Sequence, residues 1–265
     1  MLAYFPIFLV LGGCAGFLAG LLGVGGGLII VPVLVWIFEH ALPGSRYVLH
    51  LALGTSLASI LFTSVSSIRG HHGRGAVDWD VLRKITPGIL VGTFAGAALA
   101  GHISSLGLKW FFVVFATVVG LQMFANVKPK AARQLPGRFG MFFSGGVIGM
   151  VSSFVGIGGG SLSVPFMSWC NVPIHRAVGT SAAIGFPIAF AGAAGYIVSG
   201  AGVAGLPEWS LGFIYLPALF GVAVCSMLTA GLGARVAHAM PVARLKQAFA
   251  VLLLLMALKM LFTLI

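Results

Sequence analysis

The sequence predicts an all-α integral membrane protein of two inverted-topology repeats, each a re-entrant or broken helical hairpin with a glycine-rich tip followed by three transmembrane helices. Three observations carry this prediction. At 59% hydrophobic and 7% charged residues, with a mean hydropathy of +1.11, the 265-residue chain has more apolar surface than a water-soluble domain could bury, so lipid must be its solvent. The segment GVGGGLIIVP, from Gly23 to Pro32, returns as GIGGGSLSVP from Gly156 to Pro165, and the likeness extends from Gly12–Trp36 to Gly145–Trp169. The positive charges, finally, sort to one face of a membrane only if both glycine segments turn back inside it.

The first apolar stretch, Phe5 to Phe38, is too long for one crossing and too short for two, since a span needs ~20 residues at ~1.5 Å each. Dividing it at the glycines leaves one arm of ordinary length and one of about 12 residues, or ~18 Å of helix against a ~30 Å hydrocarbon core. A hairpin that dips in and turns back fits best. The stretch 141–170 repeats the pattern, while 50–68, 85–101, 109–126, 179–200, 211–233 and 247–265 read as ordinary spans. MLAYFPIFLV has no basic residue ahead of its apolar run, so the first segment is expected to be retained rather than cleaved as a signal peptide. Cys14, Cys170 and Cys225 are far apart in or beside apolar segments and read as packing residues.

Charge decides between hairpins and simple crossings. Eight simple crossings place Arg69, Arg74, Arg83, Lys84, Lys128, Lys130, Arg133 and Arg138 on one face and Arg46, Lys109, Arg176, Arg235, Arg244 and Lys246 on the other, which is no bias. With two hairpins, Arg176, Arg235, Arg244 and Lys246 change sides and leave only Arg46 and Lys109 opposite, with Lys259 in the last span. Each half then has five membrane segments, so the second enters upside down. Residues 1–126 form the first membrane repeat, 127–140 a basic cytoplasmic linker and 141–265 the second, inverted repeat. Both termini face outside, and the basic loops RGHHGRGAVDWDVLRK and VKPKAARQLPGR face the cytoplasm.

The repeat continues past the glycines. HLALGTSLA, from His50, matches HRAVGTSAA, from His175, and Asp78, Trp79 and Pro87 pair by spacing with Glu208, Trp209 and Pro217. Glycines that open a short helix leave backbone N–H groups at a positive dipole end, with no side chain to keep a ligand away. Gly25, Gly26 and Gly27 from one tip and Gly158, Gly159 and Gly160 from the other are therefore expected to meet near mid-membrane as an anion site. Close helix packing is the competing explanation for such glycines. Pro32 and Pro165 fall inside the short arms, where a freed carbonyl must find a partner or line a cavity. Thr55, Ser56, Thr180 and Ser181 can cap their helices or donate to a bound oxyanion. Ser161, with Ser163, lies on the second tip only, opposite Leu28 and Ile30 of the first, so a ligand meets unequal halves.

His50 and His175 either bond locally at the membrane interface or gate the path and carry a proton. His71, His72 and Arg74 read as a solvated basic loop rather than a metal site, and Gly88, Gly92 and Gly96 as helix-packing positions. The acids Glu39, Asp78, Asp80 and Glu208 all sit between apolar stretches, which leaves no carboxylate inside the membrane for sodium coordination or an acidic proton relay. The net charge of +11 resides in short loops, where it reads as an orientation signal facing anionic lipid and not as a nucleic-acid surface. No catalytic residue, metal or cofactor is implied; the expected partners are a small anionic substrate and the lipid bilayer.

The two G-x-G-G-G-x3-V-P hairpins, the two GTS segments, the basic linker and the overall length resemble the sulfite exporter TauE/SafE family. The resemblance spans nearly the whole chain. It implies an inner-membrane permease that moves sulfite, sulfonates such as sulfoacetate, thiosulfate or related sulfur anions, mostly outward. Uptake of a sulfur anion such as thiosulfate through the same fold is the alternative it leaves open. A reading from another class, an intramembrane hydrolase using Ser161 or Ser181 with His175, lacks an embedded acid and has no need of the doubled tips.

Overall fold

The computed structural model describes residues 2–22, 25–125, 133–237 and 242–262. Gly23 and Val24, at the start of the first glycine turn, and Lys128 and Lys130 of the linker lie outside them. Ten helices form among the described residues. In the first half these are α1 (Phe5–Leu22), α2 (Gly27–Ala41), α3 (Val48–His72), α4 (Trp79–Ala100) and α5 (Ser105–Phe124). The second half gives α6 (Arg138–Val155), α7 (Gly160–Trp169), α8 (Ile174–Gly200), α9 (Leu216–Ala237) and α10 (Val242–Phe262). Five of the ten, α3, α5, α6, α8 and most of α9, are long and apolar enough to cross a membrane.

Both glycine segments break their helices. α1 runs to Leu22 and α6 to Val155, and after each tip a short arm follows: α2 with 15 residues and α7 with 10. At ~1.5 Å per residue these arms are roughly 22 and 15 Å long, short of a ~30 Å core. Pro32 and Pro165 are both the sixth residue of their arm, so the carbonyls of Leu28 and Ser161, one turn back toward each tip, lose their helical donor. The far end of each arm carries a repeat-related tryptophan under a cation: Lys259 lies 5.0 Å from the Trp36 ring centre and Arg133 5.0 Å from that of Trp169.

The halves interlock. α1 packs along α9 while α6 packs along α4; α3 lies on α9 as α8 lies on α4; α3 meets α8 and α5 meets α10 at the centre and the edge. Glycines make the long contacts close. A methyl group on Gly12 would sit 2.8 Å from Val222 Cα, and one on Gly92 would sit 2.7 Å from Gly146 Cα, so backbone rides on backbone as small residues allow in lipid.

This packing corrects one pairing drawn from spacing. Asp78 precedes α4 as Tyr215, not Glu208, precedes α9. The second half carries a hairpin of two short strands, β1 (Ser210–Leu211) and β2 (Ile214–Tyr215), the strands found among the described residues. The hairpin seats Phe213, 1% exposed, against the rings of Tyr47, His50 and Tyr196. The loop expected over residues 69–84 is also shorter than its composition suggested, because α3 extends to His72 and α4 begins at Trp79. His71 is therefore not solvated: it is buried, with its Nε2 3.1 Å from the Gly20 carbonyl at the end of α1.

Candidate functional site

The two tips touch. Gly25 has φ +83° and Gly26 +74°, the left-handed backbone that ends one helix and opens the next; in the second tip Gly156 has +71° and Gly159 +79°. A Cβ on Gly25 would lie 2.8 Å from Gly158 Cα, so only glycine permits this approach. Gly26 and Gly159 are the N-caps of α2 and α7, and Gly27 and Gly160 their first helical residues. The first intrahelical amides are those of Ile29, bonded to the Gly26 carbonyl, and Leu162, bonded to the Gly159 carbonyl. The amides ahead of them, of Gly27, Leu28, Gly160 and Ser161, stand at the positive ends of the two arms without a helical acceptor.

A small cavity lies beside this contact. Ala19 of α1, Gly25, Gly158, Ile60, Thr63, Ser64 and Ser67 of α3, and Ser181, Ala182 and Gly185 of α8 line it. None of these residues is ionisable. Its free volume is about 10 Å³, against the ~10–15 Å³ that a single water requires, so a four-atom oxyanion needs it wider. Thr63 Oγ1 bonds the Ser59 carbonyl and Ser226 Oγ, and Ser64 Oγ donates to the Leu61 carbonyl. Ser67 Oγ is buried with no hydrogen-bond partner.

The GTS segments divide their work. Ser56 Oγ donates to the Gly156 carbonyl at 2.8 Å, tying α3 to the glycine turn of the other half. Ser181 lines the cavity and its Oγ accepts from Ser163 Oγ at 2.9 Å, while Ser163 also lies 2.9 Å from the Gly159 carbonyl. The threonines face elsewhere. Thr55 Oγ1 accepts from the Tyr215 amide at 3.0 Å and Thr180 Oγ1 from the Asp78 amide at 2.9 Å, each fixing the residue that opens a helix of the opposite half. Thr55 is the eighth residue of α3 and Thr180 the seventh of α8, beyond the capping positions, so their hydroxyls serve the neighbouring helix and not the cap.

The histidines part company. His50, 2% exposed, donates from Nε2 to the carbonyls of Ala100 and Ile103 and packs edge-on against Tyr47 and tilted against Phe213, so it pins the start of α3 to the turn between α4 and α5. His175 is exposed at the start of α8. Ser161, the residue after Gly160, is 9% exposed and its Oγ has no hydrogen-bond partner. Glu39 pairs with Lys109 at 2.6 Å, Asp80 with Lys84 at 2.6 Å, and Asp78 caps α4 through the Val81 amide. The acids thus lie at helix ends and the tips keep a neutral lining.

Thr63, Ser64 and Ser67 were not among the residues that the repeat singled out, because a repeat draws attention to what the halves share. Their counterparts on α8 are Ile188, Ala189 and Gly192. The signal was present in another form: the run TSVSS inside an apolar span is dense in hydroxyls for a lipid-solvated helix.

Residues 8–260 match the family described as Sulfite exporter TauE/SafE. A probable membrane transporter protein of Haemophilus influenzae is 36% identical over 98% of this chain and 99% of its own length. Others so described, from Methanocaldococcus jannaschii and Bacillus subtilis, are each 29% identical, over 68% and 74% of this chain and 67% and 79% of their own. No solved structure shows significant similarity.

Proposed function

For a membrane transporter that belongs to the TauE/SafE sulfite exporter family, we propose that the cargo is a small sulfur oxyanion, sulfite or an organosulfonate, carried outward past the glycine tips. The observation that carries this reading is the contact between Gly25 and Gly158 at the mouths of two short helices, beside a cavity with hydroxyls and no charge. Two dipole ends and several hydroxyls attract an oxyanion without the fixed cation that would hold it too firmly for release. The ligands are the amides of the Gly25–Gly27 and Gly158–Gly160 turns with Ser181 and the hydroxyls of α3. Ser56 positions the second turn, and Thr55 and Thr180 hold the frame.

The halves face the inner membrane in opposite orientations, with both termini outside, as the charge count and the reciprocal helix pairings favour. Alternating access comes from one half rocking against the other around the tips, and the narrow cavity must widen as it does so. An inside-negative potential favours anion exit by ~2.3 kcal/mol per charge per 100 mV, enough to drive export as a uniport. A hydrolytic reading gains nothing from the placement of its residues: His175 is exposed, while Ser161 and Ser181 are buried at the tip.

The test is a thermal-shift screen of purified protein against sulfite, sulfate, thiosulfate, sulfoacetate, taurine and carboxylates, followed by flux of the stabilising anion in proteoliposomes under an imposed potential. Stabilisation by a sulfur anion and flux that follows the potential are expected. Stabilisation by none of the sulfur anions overturns the substrate, and flux that ignores potential but follows pH overturns the uniport.

A further inference from the structure

The cavity occupies one side of the tip contact, and the repeat identifies what lies on the other. Its lining residues Ala19, Thr63, Ser67 and Ala182 have as counterparts Ser152, Ile188, Gly192 and Leu57. These counterparts also cluster. From the place a Cβ on Gly159 would take, Ser152 Oγ is 3.7 Å away and Ile188 Cδ1 lies inside contact distance; from that of Gly192, Leu57 Cδ1 is 2.8 Å away and Thr93 Cγ2 3.3 Å. Where the first side has an opening, the second has two aliphatic side chains. Leu57 and Ile188 are both 0% exposed.

Three hydroxyls of this region are unpaired. Ser152 and Thr93 are 0% exposed and Ser161 9%, and the hydroxyl oxygen of each lacks any hydrogen-bond partner. Their counterparts in the opposite half are Ala19, Ala230 and Leu28, so the repeat does not need these hydroxyls to build its helices. A buried hydroxyl left unpaired is costly, and Ser152 and Ser161 at the second tip, with Thr93 beside Gly192, point to a ligand or solvent that reaches them in another conformation.

We propose that Ser152, Ser161 and Thr93 form a second oxyanion subsite on the far side of the tips, and that Leu57 and Ile188 are the gate that seals it in the conformation described. Oxyanion oxygens accept from the hydroxyl donors the subsite presents. In passing, an anion exchanges the hydroxyls of α3 for those of Ser152, Ser161 and Thr93 while the tip amides stay with it. This rests on the tips being a permeation route, but not on which anion uses it.

The experiment is thiol accessibility in full-length protein whose Cys14, Cys170 and Cys225 are replaced by alanine, carrying either Ser67→Cys or Ser152→Cys. A membrane-impermeant methanethiosulfonate is applied to intact cells and to inverted vesicles. Ser67→Cys is expected to react from one face and Ser152→Cys only slowly, from the opposite face. Adding Leu57→Ala and Ile188→Ala should speed labelling of Ser152→Cys by at least about tenfold, since truncating buried aliphatic side chains loosens their packing. Ser67→Cys labelling in the same variant that stays confined to its one face and keeps the parent rate shows that it remains folded, and Ile188→Thr, which copies Thr63, is the milder substitution if it does not. Labelling of both cysteines from one face, or a Ser152→Cys that stays protected while Ser67→Cys reacts in the opened variants, overturns the gate. If no sulfur anion is carried, the labelling pattern still stands, so the two failures are distinguishable.

Discussion

Gly27→Ala puts a methyl group where the tips leave no room for one. Its Cβ would lie 2.9 Å from Ile157 Cα and 3.0 Å from the Gly156 carbonyl carbon, and the Gly156 oxygen is nearer still, whereas ordinary contact is 3.4–4 Å. The three nearest atoms are all backbone, so no rotamer change relieves the overlap; the turns must separate by about an ångström. Overpacking of this kind costs ~1–3 kcal/mol, which for a chain of this size lowers Tm by roughly 2–12 °C. Parting the tips also moves the Gly156 carbonyl away from Ser56 Oγ, and the amides away from any shared ligand. Gly13→Ala is the control, because a Cβ there meets nothing within 4 Å and lies in the interior of α1. The readouts are thermal unfolding in detergent and anion flux in proteoliposomes. Gly27→Ala with the Tm and flux of the parent would refute the tip contact.

Other substitutions separate the frame from the site. Ser56→Ala removes the hydroxyl that holds the Gly156 carbonyl and should lower stability by ~0.5–1.5 kcal/mol in thermal unfolding, with a parallel loss of flux. Thr55→Val and Thr180→Val leave the amides of Tyr215 and Asp78 without their acceptors; each should cost ~1–3 kcal/mol, and serine at either position should restore most of it. Ser67→Ala should behave oppositely: its hydroxyl has no partner to lose, so Tm stays level or rises while anion affinity falls by roughly threefold to tenfold in a titrated thermal shift.

The hairpins could be read from the chain because their cause is local. A proline and five clustered glycine-turn residues interrupt an apolar run whose length fits no whole number of spans, and α2 and α7 begin at the glycines expected. What Thr55 and Thr180 do could not be read, since their partners are amides in the opposite half and nothing local specifies that pairing. The match of Asp78 to Glu208 failed for a related reason. The β1–β2 hairpin lies ahead of α9 and has no counterpart ahead of α4, and spacing alone follows residue count where the structure follows the helix start. Ser67, Ser152 and Thr93 were missed because they differ between the halves, and the unequal lining of the tips lies in those differences.

The exchange of helices between halves also sets a schedule for synthesis. The stripe of α1 that ends at Gly20 fits against α9, and α9 emerges only after almost two hundred further residues. At ~5–20 residues per second, α1 waits in the bilayer for roughly 10–40 s with its glycine face turned to lipid or to a temporary neighbour. The first half therefore cannot mature as it is made: its final packing begins only when the chain is nearly complete, and a stalled ribosome leaves behind a half that lacks the surfaces it was shaped to meet.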